Sequence, residues 1–279
     1  MTSSAGILVA VDGSPHSMLG TEWAASVATD EVLTFCLVLP RRGSDTALQN
    51  ELRIQGQEIL VHSRARALSA NPAVRTQAQL RWGSAAAELL KQSAGNGLVV
   101  IGSRGSGHFA PMQLGSTAGQ VAAHARCPVV VVRPAKRPYG PVIVGIDDGP
   151  PDDLLRFAFE TARRTTSELV AIRALEISVD FGTGSPSPER LARMRGEAHT
   201  ALDTVLAEWI AHYPDVKVSD GTMRDGATRV LIDASRQASM LAVAARGRGG
   251  FPELRLGSTC RHVIELAACP VAVVHPEAP

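Results

Sequence analysis

The sequence predicts an α/β protein made of two tandem, doubly wound parallel sheets of five strands each, Rossmann-like in order (3-2-1-4-5) and related by a pseudo-two-fold axis. Three observations lead there. Short apolar runs alternate with longer stretches of helical periodicity, and parallel neighbours need such crossover connections. Runs such as Ile7 to Val11 and Val142 to Ile146 are continuously apolar, as in strands covered on both faces. The chain also repeats itself: Gly105 and Gly247, Gly115 and Gly257, and Cys127 and Cys269 are each 142 residues apart. A constant offset over so many landmarks marks a duplication, and a chain of 279 residues suits two domains of about 140. The expected boundaries are 1–134 for the first domain, 135–140 for a linker and 141–279 for the second.

In the first repeat the opening strand ends in Asp12, and Gly13-Ser14-Pro15 turns the chain. Pro15 suits a first helical position, and Leu19, Trp23 and Val27 share one face of a helix to about Ala28. A second strand spans Leu33 to Leu39. A long helical pattern follows from about Thr46 to Ser69 and breaks at Asn71-Pro72. Val74 to Leu80 alternates as a third strand, and Gly83-Ser84 leads into a helix through Ala87, Leu90 and Lys91. Leu98 to Ile101 is the fourth strand, a helix runs from Gly115-Ser116 to about Ala125, and Pro128 to Val132 is the fifth strand.

The linker holds three prolines and three positive charges between Arg133 and Pro141. The second repeat then runs through the strand Val142 to Asp147, a helix from about Asp152 to Thr166 and the strand Leu169 to Leu175. A Gly/Ser/Pro-rich loop at 181–188 precedes a helix from about Glu189 to His212. A short strand at Val216 to Ser219, a helix from Ala227 to Gln237 and the strand Met240 to Ala244 follow. A helix from Ser258 and the strand Val271 to Val274 close the copy.

Composition narrows the function classes. A net charge of +1 provides no global basic field to collect nucleic acid or an anionic membrane. No apolar stretch approaches the ~18 residues needed to span a bilayer, and the N-terminus lacks the basic region of a signal peptide. Cys36, Cys127, Cys260 and Cys269 have no disulfide or zinc spacing, which suits buried thiols in a cytoplasmic protein. His108, His124, His262 and His275 have no ligand spacing either, so no metal site built from protein groups alone is expected. Asp152-Asp153, in the first turn of a helix, simply complements its dipole. The Arg41-Arg42 and Arg133-to-Arg137 clusters suit solvated loops.

In an open parallel sheet a ligand sits beyond the carboxyl ends of the strands, where neighbouring crossovers leave in opposite directions. In the order 3-2-1-4-5 that crevice lies between the first and fourth strands. They end at Asp12 and at Gly102-Ser103-Arg104-Gly105. Glycines let the backbone approach a bulky polar ligand. Gly115-Ser116-Thr117 starts a helix whose free N–H groups and dipole favour a phosphate. Asp12 suits a ribose hydroxyl, an amine, or a divalent cation held on the phosphates.

The pattern Gly-x2-Gly-x9-Gly-Ser, between a strand and an Ala-rich helix that ends in Cys-Pro-Val, resembles the universal stress protein family. The opening Ile-Leu-Val-Ala-Val-Asp-Gly-Ser is similar to the family too, and both halves of the chain share the likeness. The resemblance implies tandem α/β domains of the subclass that binds ATP, with Mg reached through the nucleotide at Asp12. It places Asp12 near the nucleoside and gives Val38 a backbone contact to adenine. Ile101 and Gly102 lie against nucleoside and phosphates, with Arg104, Gly105, Gly115, Ser116 and Thr117 at or near the phosphates.

The second repeat departs from the pattern. Ala244 replaces the first glycine, and Asp148 follows Asp147 where the motif has Gly-Ser. A methyl at Ala244 crowds a ligand or shifts the strand end, and Asp148 adds negative charge. The corresponding, weaker set is Asp147, Ala174, Val243, Ala244, Gly247, Gly257, Ser258 and Thr259.

No Gly-x4-Gly-Lys-Ser/Thr and no Gly-x-Ser-x-Gly occurs, and no second acidic residue is placed to activate water. The expectation is a regulatory nucleotide binder with at most slow ATP hydrolysis rather than an enzyme. The competing reading is a nucleotide-independent scaffold in which the glycine loops are only turns. An adenylyl-transfer enzyme is disfavoured, since no Ser-Gly-Gly loop or His-x-Gly-His is present. The apolar strands Val129 to Val132 and Val271 to Val274 are expected at sheet edges, where the resemblance implies antiparallel pairing of the two halves and allows a homodimer.

Overall fold

The computed structural model describes residues 6–41, 46–105, 114–147, 152–175, 187–247 and 255–275. The chain divides into two compact units, residues 1–134 and residues 135–276.

In the first unit the elements run β1 (Ile7–Ala10), α1 (Pro15–Val27), β2 (Val32–Leu39), α2 (Thr46–Ala70), β3 (Arg75–Trp82), α3 (Ala85–Ser93), β4 (Leu98–Gly102), α4 (Ser116–His124) and β5 (Val129–Val132). Its strand order is β3-β2-β1-β4-β5, all parallel. β1 and β5 are buried along their whole length and β4 from Val99 onward, which is why their sequences read as unbroken apolar runs. β3 pairs with β2 over eight residues, from Val32↔Arg75 to Leu39↔Trp82, and so runs two residues past the expected Leu80.

α1 starts where the turn chemistry predicts. Ser14 is its N-cap and its Oγ accepts from Ser17 N–H at 3.2 Å, with Pro15 at the first helical position. Gly13, at φ +79°, turns the chain from β1 in the left-handed region that L side chains avoid.

The second unit repeats the plan: β6 (Val142–Ile146), α5 (Asp152–Arg164), β7 (Leu169–Ala174), α6 (Pro188–His212), β8 (Val218–Met223), α7 (Ala227–Ala234), β9 (Met240–Ala244), α8 (Ser258–Leu266) and β10 (Val271–Val274). Its order, β8-β7-β6-β9-β10, is again parallel. Phe159 of α5 stacks against Trp209 of α6, with ring centroids 5.9 Å apart, and fastens α6 to the sheet layer.

One strand departs from expectation. β8 spans Val218–Met223 rather than Val216 to Ser219, because pairing with β7 runs from Leu169↔Val218 to Ala174↔Met223. Ser219, Asp220 and Thr222 hide this strand from a search for apolar runs, since an edge strand half open to solvent needs no continuous apolar sequence. α7 also ends earlier than expected, at Ala234 rather than Gln237, with Ser235 as its C-cap. α5 stops at Arg164, and Thr166 adopts φ 51° in the turn that follows.

Candidate functional site

In the first repeat the structure brings Asp12, Gly105 and Gly115 to one place. The Asp12 carboxylate is oriented locally, since Ser14 N–H donates to Oδ1 at 3.0 Å. Its other oxygen faces the glycine loop: a Cβ built on Gly105 would lie 2.7 Å from Asp12 Oδ2. Ser14 Oγ donates to Arg104 O at 3.4 Å and ties the β1–α1 turn to the end of β4. Ser103 N–H donates to Val132 O at 2.7 Å, and Gly115 N–H donates to Ser103 O at 2.8 Å, so α4 starts beside the end of β4.

Gly115 is the N-cap of α4 and makes no side-chain cap bond. The N–H groups of Ser116 and Thr117 lie in its first turn, where an α-helix offers no intrahelical acceptor. Ile101 is 6 % exposed and Gly102 is buried at the end of β4. Val38 lies two residues past Cys36, the partner of Ala10, on the opposite side of β1 from β4. Residues 106–113 lie outside the described residues.

The second repeat has the same two backbone bonds at the end of its fourth strand. Ala245 N–H donates to Val274 O at 2.8 Å, and Gly257 N–H donates to Ala245 O at 2.8 Å. A Cβ on Gly247 would lie 3.2 Å from Asp147 Oδ2. Ala244 shifts nothing: β9 pairs with β10 through Ala244↔Val274, just as Gly102↔Val132 does in the first repeat. Asp148 lies outside the described residues.

Here the carboxyl edge opens into a cavity of 590 Å³, well inside the range of about 300–1,000 Å³ typical of small-molecule sites. Its wall contains every residue assigned to this repeat: Asp147 from the end of β6, Ala174 from β7, Val243 and Ala244 from β9, and Gly247, Gly257, Ser258 and Thr259 from the loop and α8. The arrangement offers a carboxylate, a glycine-lined backbone and an uncapped helix N-terminus around one space. It can hold a polar ligand with an anionic end at α8.

Several wall residues were not foreseen. Arg173 precedes Ala174 on β7, Leu154 comes from α5, and Ala227 and Leu231 come from α7. Thr228 Oγ1 lies 3.4 Å from Thr259 Oγ1 and joins the first turns of α7 and α8. The position of α7 after β8, at the same sheet edge, was the signal that could have found them. In the first repeat His16 was also missed. A Cβ on Gly102 would lie 2.7 Å from its carbonyl carbon, and burial, then the Arg104 and Arg133 charges, push its imidazole below its ordinary pKa.

None of the four cysteines is in a disulfide, and all are buried. Burial pushes Cys36 up to about 11, and Cys127 and Cys260 up to about 12, so they are neutral packing groups near neutral pH. Asp153 pairs with Arg156 at 3.0 Å in the first turn of α5. His262 Nδ1 lies 2.8 Å from Ser258 O, a local contact within α8. A different histidine, exposed His199 on α6, meets Asp220 of β8 at 3.0 Å through Nδ1 and Asp203 at 3.7 Å through Nε2. No helix among the described residues is long and apolar enough to cross a membrane.

Two parallel α/β units with matching glycines and matching helix starts define a duplicated α/β fold, and comparison with known families names it. The model of the universal stress protein family matches residues 6–133 and again 138–275, and the chain belongs to that family as a tandem member. It is similar to Universal stress protein Rv1996 of Mycobacterium tuberculosis, with 32% identity covering 96% of this chain and 94% of the relative. Universal stress protein Rv2623 of the same organism is 30% identical, covering 97% and 96% of the two chains. Among solved structures, a universal stress protein from Archaeoglobus fulgidus shares the fold at a TM-score of 0.70 and 19% identity, over 98% of this chain and 99% of that one.

Proposed function

We propose that this chain is an ATP-binding regulatory protein of the stress response. A nucleotide is held at the carboxyl edge of each sheet, between β1 and β4 in the first repeat and between β6 and β9 in the second. The observation that carries this reading is the 590 Å³ cavity whose wall collects the whole motif set of the second repeat. The matching bonds of Gly115 and Gly257 to Ser103 and Ala245 support the same assignment in the first repeat. The donors suit a nucleotide: first-turn N–H groups and the hydroxyls of Ser116, Thr117, Ser258 and Thr259 for phosphates, with Asp12 and Asp147 for the nucleoside. Mg would reach Asp12 through the nucleotide's phosphates.

Retention rather than turnover suits the described residues of the two sites, which include no lysine and one carboxylate each, and we expect hydrolysis to be slow at most.

The test is mass spectrometry of the ligand released on denaturing freshly purified protein, quantified per chain. Two nucleotides per chain are expected. A chain that releases none, and binds no ATP in calorimetry at near-millimolar concentrations, would be a nucleotide-independent scaffold instead.

A further inference from the structure

Three metal-ligating side chains converge in the second unit, and none of them belongs to the wall of the cavity. His199 and Asp203 lie on α6 at the i, i+4 spacing that puts two side chains on one helix face. Ala198, Leu202 and Leu206 are buried on the same helix, so His199 and Asp203 flank its packed face. Asp220 comes from β8, the outer strand of the unit's order, where it pairs with Ala171 of β7. His199 Nδ1 lies 3.0 Å from Asp220 Oδ2, and Nε2 lies 3.7 Å from Asp203 Oδ2. One ligand atom from each residue lies within 4.8 Å of the other two.

Two observations separate this cluster from scattered surface charge. The ion pairs of Asp203 and Asp220 among the described residues are with His199, and Lys217 of the same β8 end is held by Glu168 at 3.3 Å. Two carboxylates kept together without a lysine or arginine repel, and a divalent cation between them turns that repulsion into attraction. The first repeat supplies the second observation. α2 and α6 each have 25 residues, so His199 and Asp203 match Gln57 and Val61. The strand pairs Leu33↔Thr76 and Leu169↔Val218 correspond, so Asp220 matches Ala78. The same fold therefore forms without any of the three, and the second repeat carries all of them where they meet.

One imidazole nitrogen and two carboxylate oxygens suit zinc. Its bonds of about 2.0–2.2 Å to such ligands set the ligand atoms about 3.4 Å apart in a tetrahedron. All three residues are exposed, so side-chain rotation closes the cluster to that spacing while α6 and β8 stay in place. The ion takes one nitrogen of a neutral ring, and the fourth position falls to water. Magnesium and calcium favour shells of six or more oxygens, which this set does not offer.

We infer that His199, Asp203 and Asp220 form a zinc site that clips α6 to the outer strand β8 of the second repeat. An ion held by the folded chain alone also stabilises it. The site is independent of the nucleotide reading.

The experiment is calorimetric titration of the untagged full chain, stripped of metal with a chelator, with zinc chloride, together with thermal melts with and without zinc. The wild type is expected to take one zinc ion per chain and to melt at a higher temperature with it, whereas magnesium at the same concentration does neither. His199→Gln, Asp203→Asn and Asp220→Asn should each weaken zinc uptake by about 100-fold or more, since even changes behind the ligands cost about 10- to 100-fold. Each should also remove the zinc-dependent rise and leave the metal-free melt within a few degrees of the wild type. Three separate variants keep the test open should one of them fail to fold. A wild type that takes up no zinc overturns the inference. So does uptake that is unchanged in the folded variants, which would place the ion on other groups.

Discussion

At the scale of single residues, Gly102 and Ala244 show how one strand end is adapted twice. β4 comes so near the first turn of α1 that a Cβ on Gly102 would lie 2.7 to 2.9 Å from the backbone of His16 and Ser17. Backbone cannot swing away as a side-chain tip can, so Gly102→Ala must push α1 off the sheet. Its expected cost is about 1–3 kcal/mol in urea unfolding. Ala244→Gly is the control: β9 already accommodates the methyl in an unshifted register, and its removal should cost less than about 1 kcal/mol. Equal effects would mean that α1 does not crowd the end of β4. At Gly115 the backbone conformation is ordinary, φ −70° and ψ 147°, so a side chain can be added for function alone. Gly115→Glu sets a carboxylate at the anion end of the first site. It should remove one nucleotide per chain from the released pool while the melting temperature of the ligand-free chain stays within a few degrees.

At the scale of elements, the buried thiols tie stability to alkaline pH. Cys36 lies in β2, Cys127 just before β5 and Cys260 in α8, and burial raises all three. A thiol near 9 when unfolded and near 11 or 12 when folded keeps its proton longer in the native state. Its contribution is complete below pH 9 and is lost as pH climbs toward the folded value, because the unfolded chain releases the proton first. Urea midpoints measured from pH 8 to 10.5 should fall, and Cys127→Ala should flatten the fall even as it lowers the starting value. A wild-type midpoint that is flat over this range would contradict the burial. The same elements show what could be read early. β1, β4, β5, β9 and β10 were legible because a strand covered on both faces must be apolar throughout. β8 was misplaced because its pairing with β7 lies in backbone bonds that side chains do not advertise.

At the scale of the whole molecule, each unit has its own sheet and its own core. Residues 135–276 expressed alone should therefore fold, with a cooperative melt and the α/β signature in circular dichroism. That fragment ends in β10, an apolar strand last in its unit's order, and an uncovered edge of that kind seeks a partner. Light scattering of the fragment is expected to give a dimer, and a stable monomer would count against pairing through the last strands.

Duplication, parallel α/β class and the sheet edge at which the motif residues gather were all legible from residue order alone, because they depend on periodicity and on landmarks spaced by a constant 142 residues. Asp12, Gly105 and Gly115 could be grouped because a glycine turn beside a helix start has the same chemistry wherever it occurs. Which other groups join them was decided only by the fold. Arg173 lines the second cavity because β7 borders β6. Ala227 and Leu231 reach it because α7 follows an edge strand that side chains barely mark. Spacing along the chain reports which residues share an element, whereas only strand order and helix packing determine which elements share a wall.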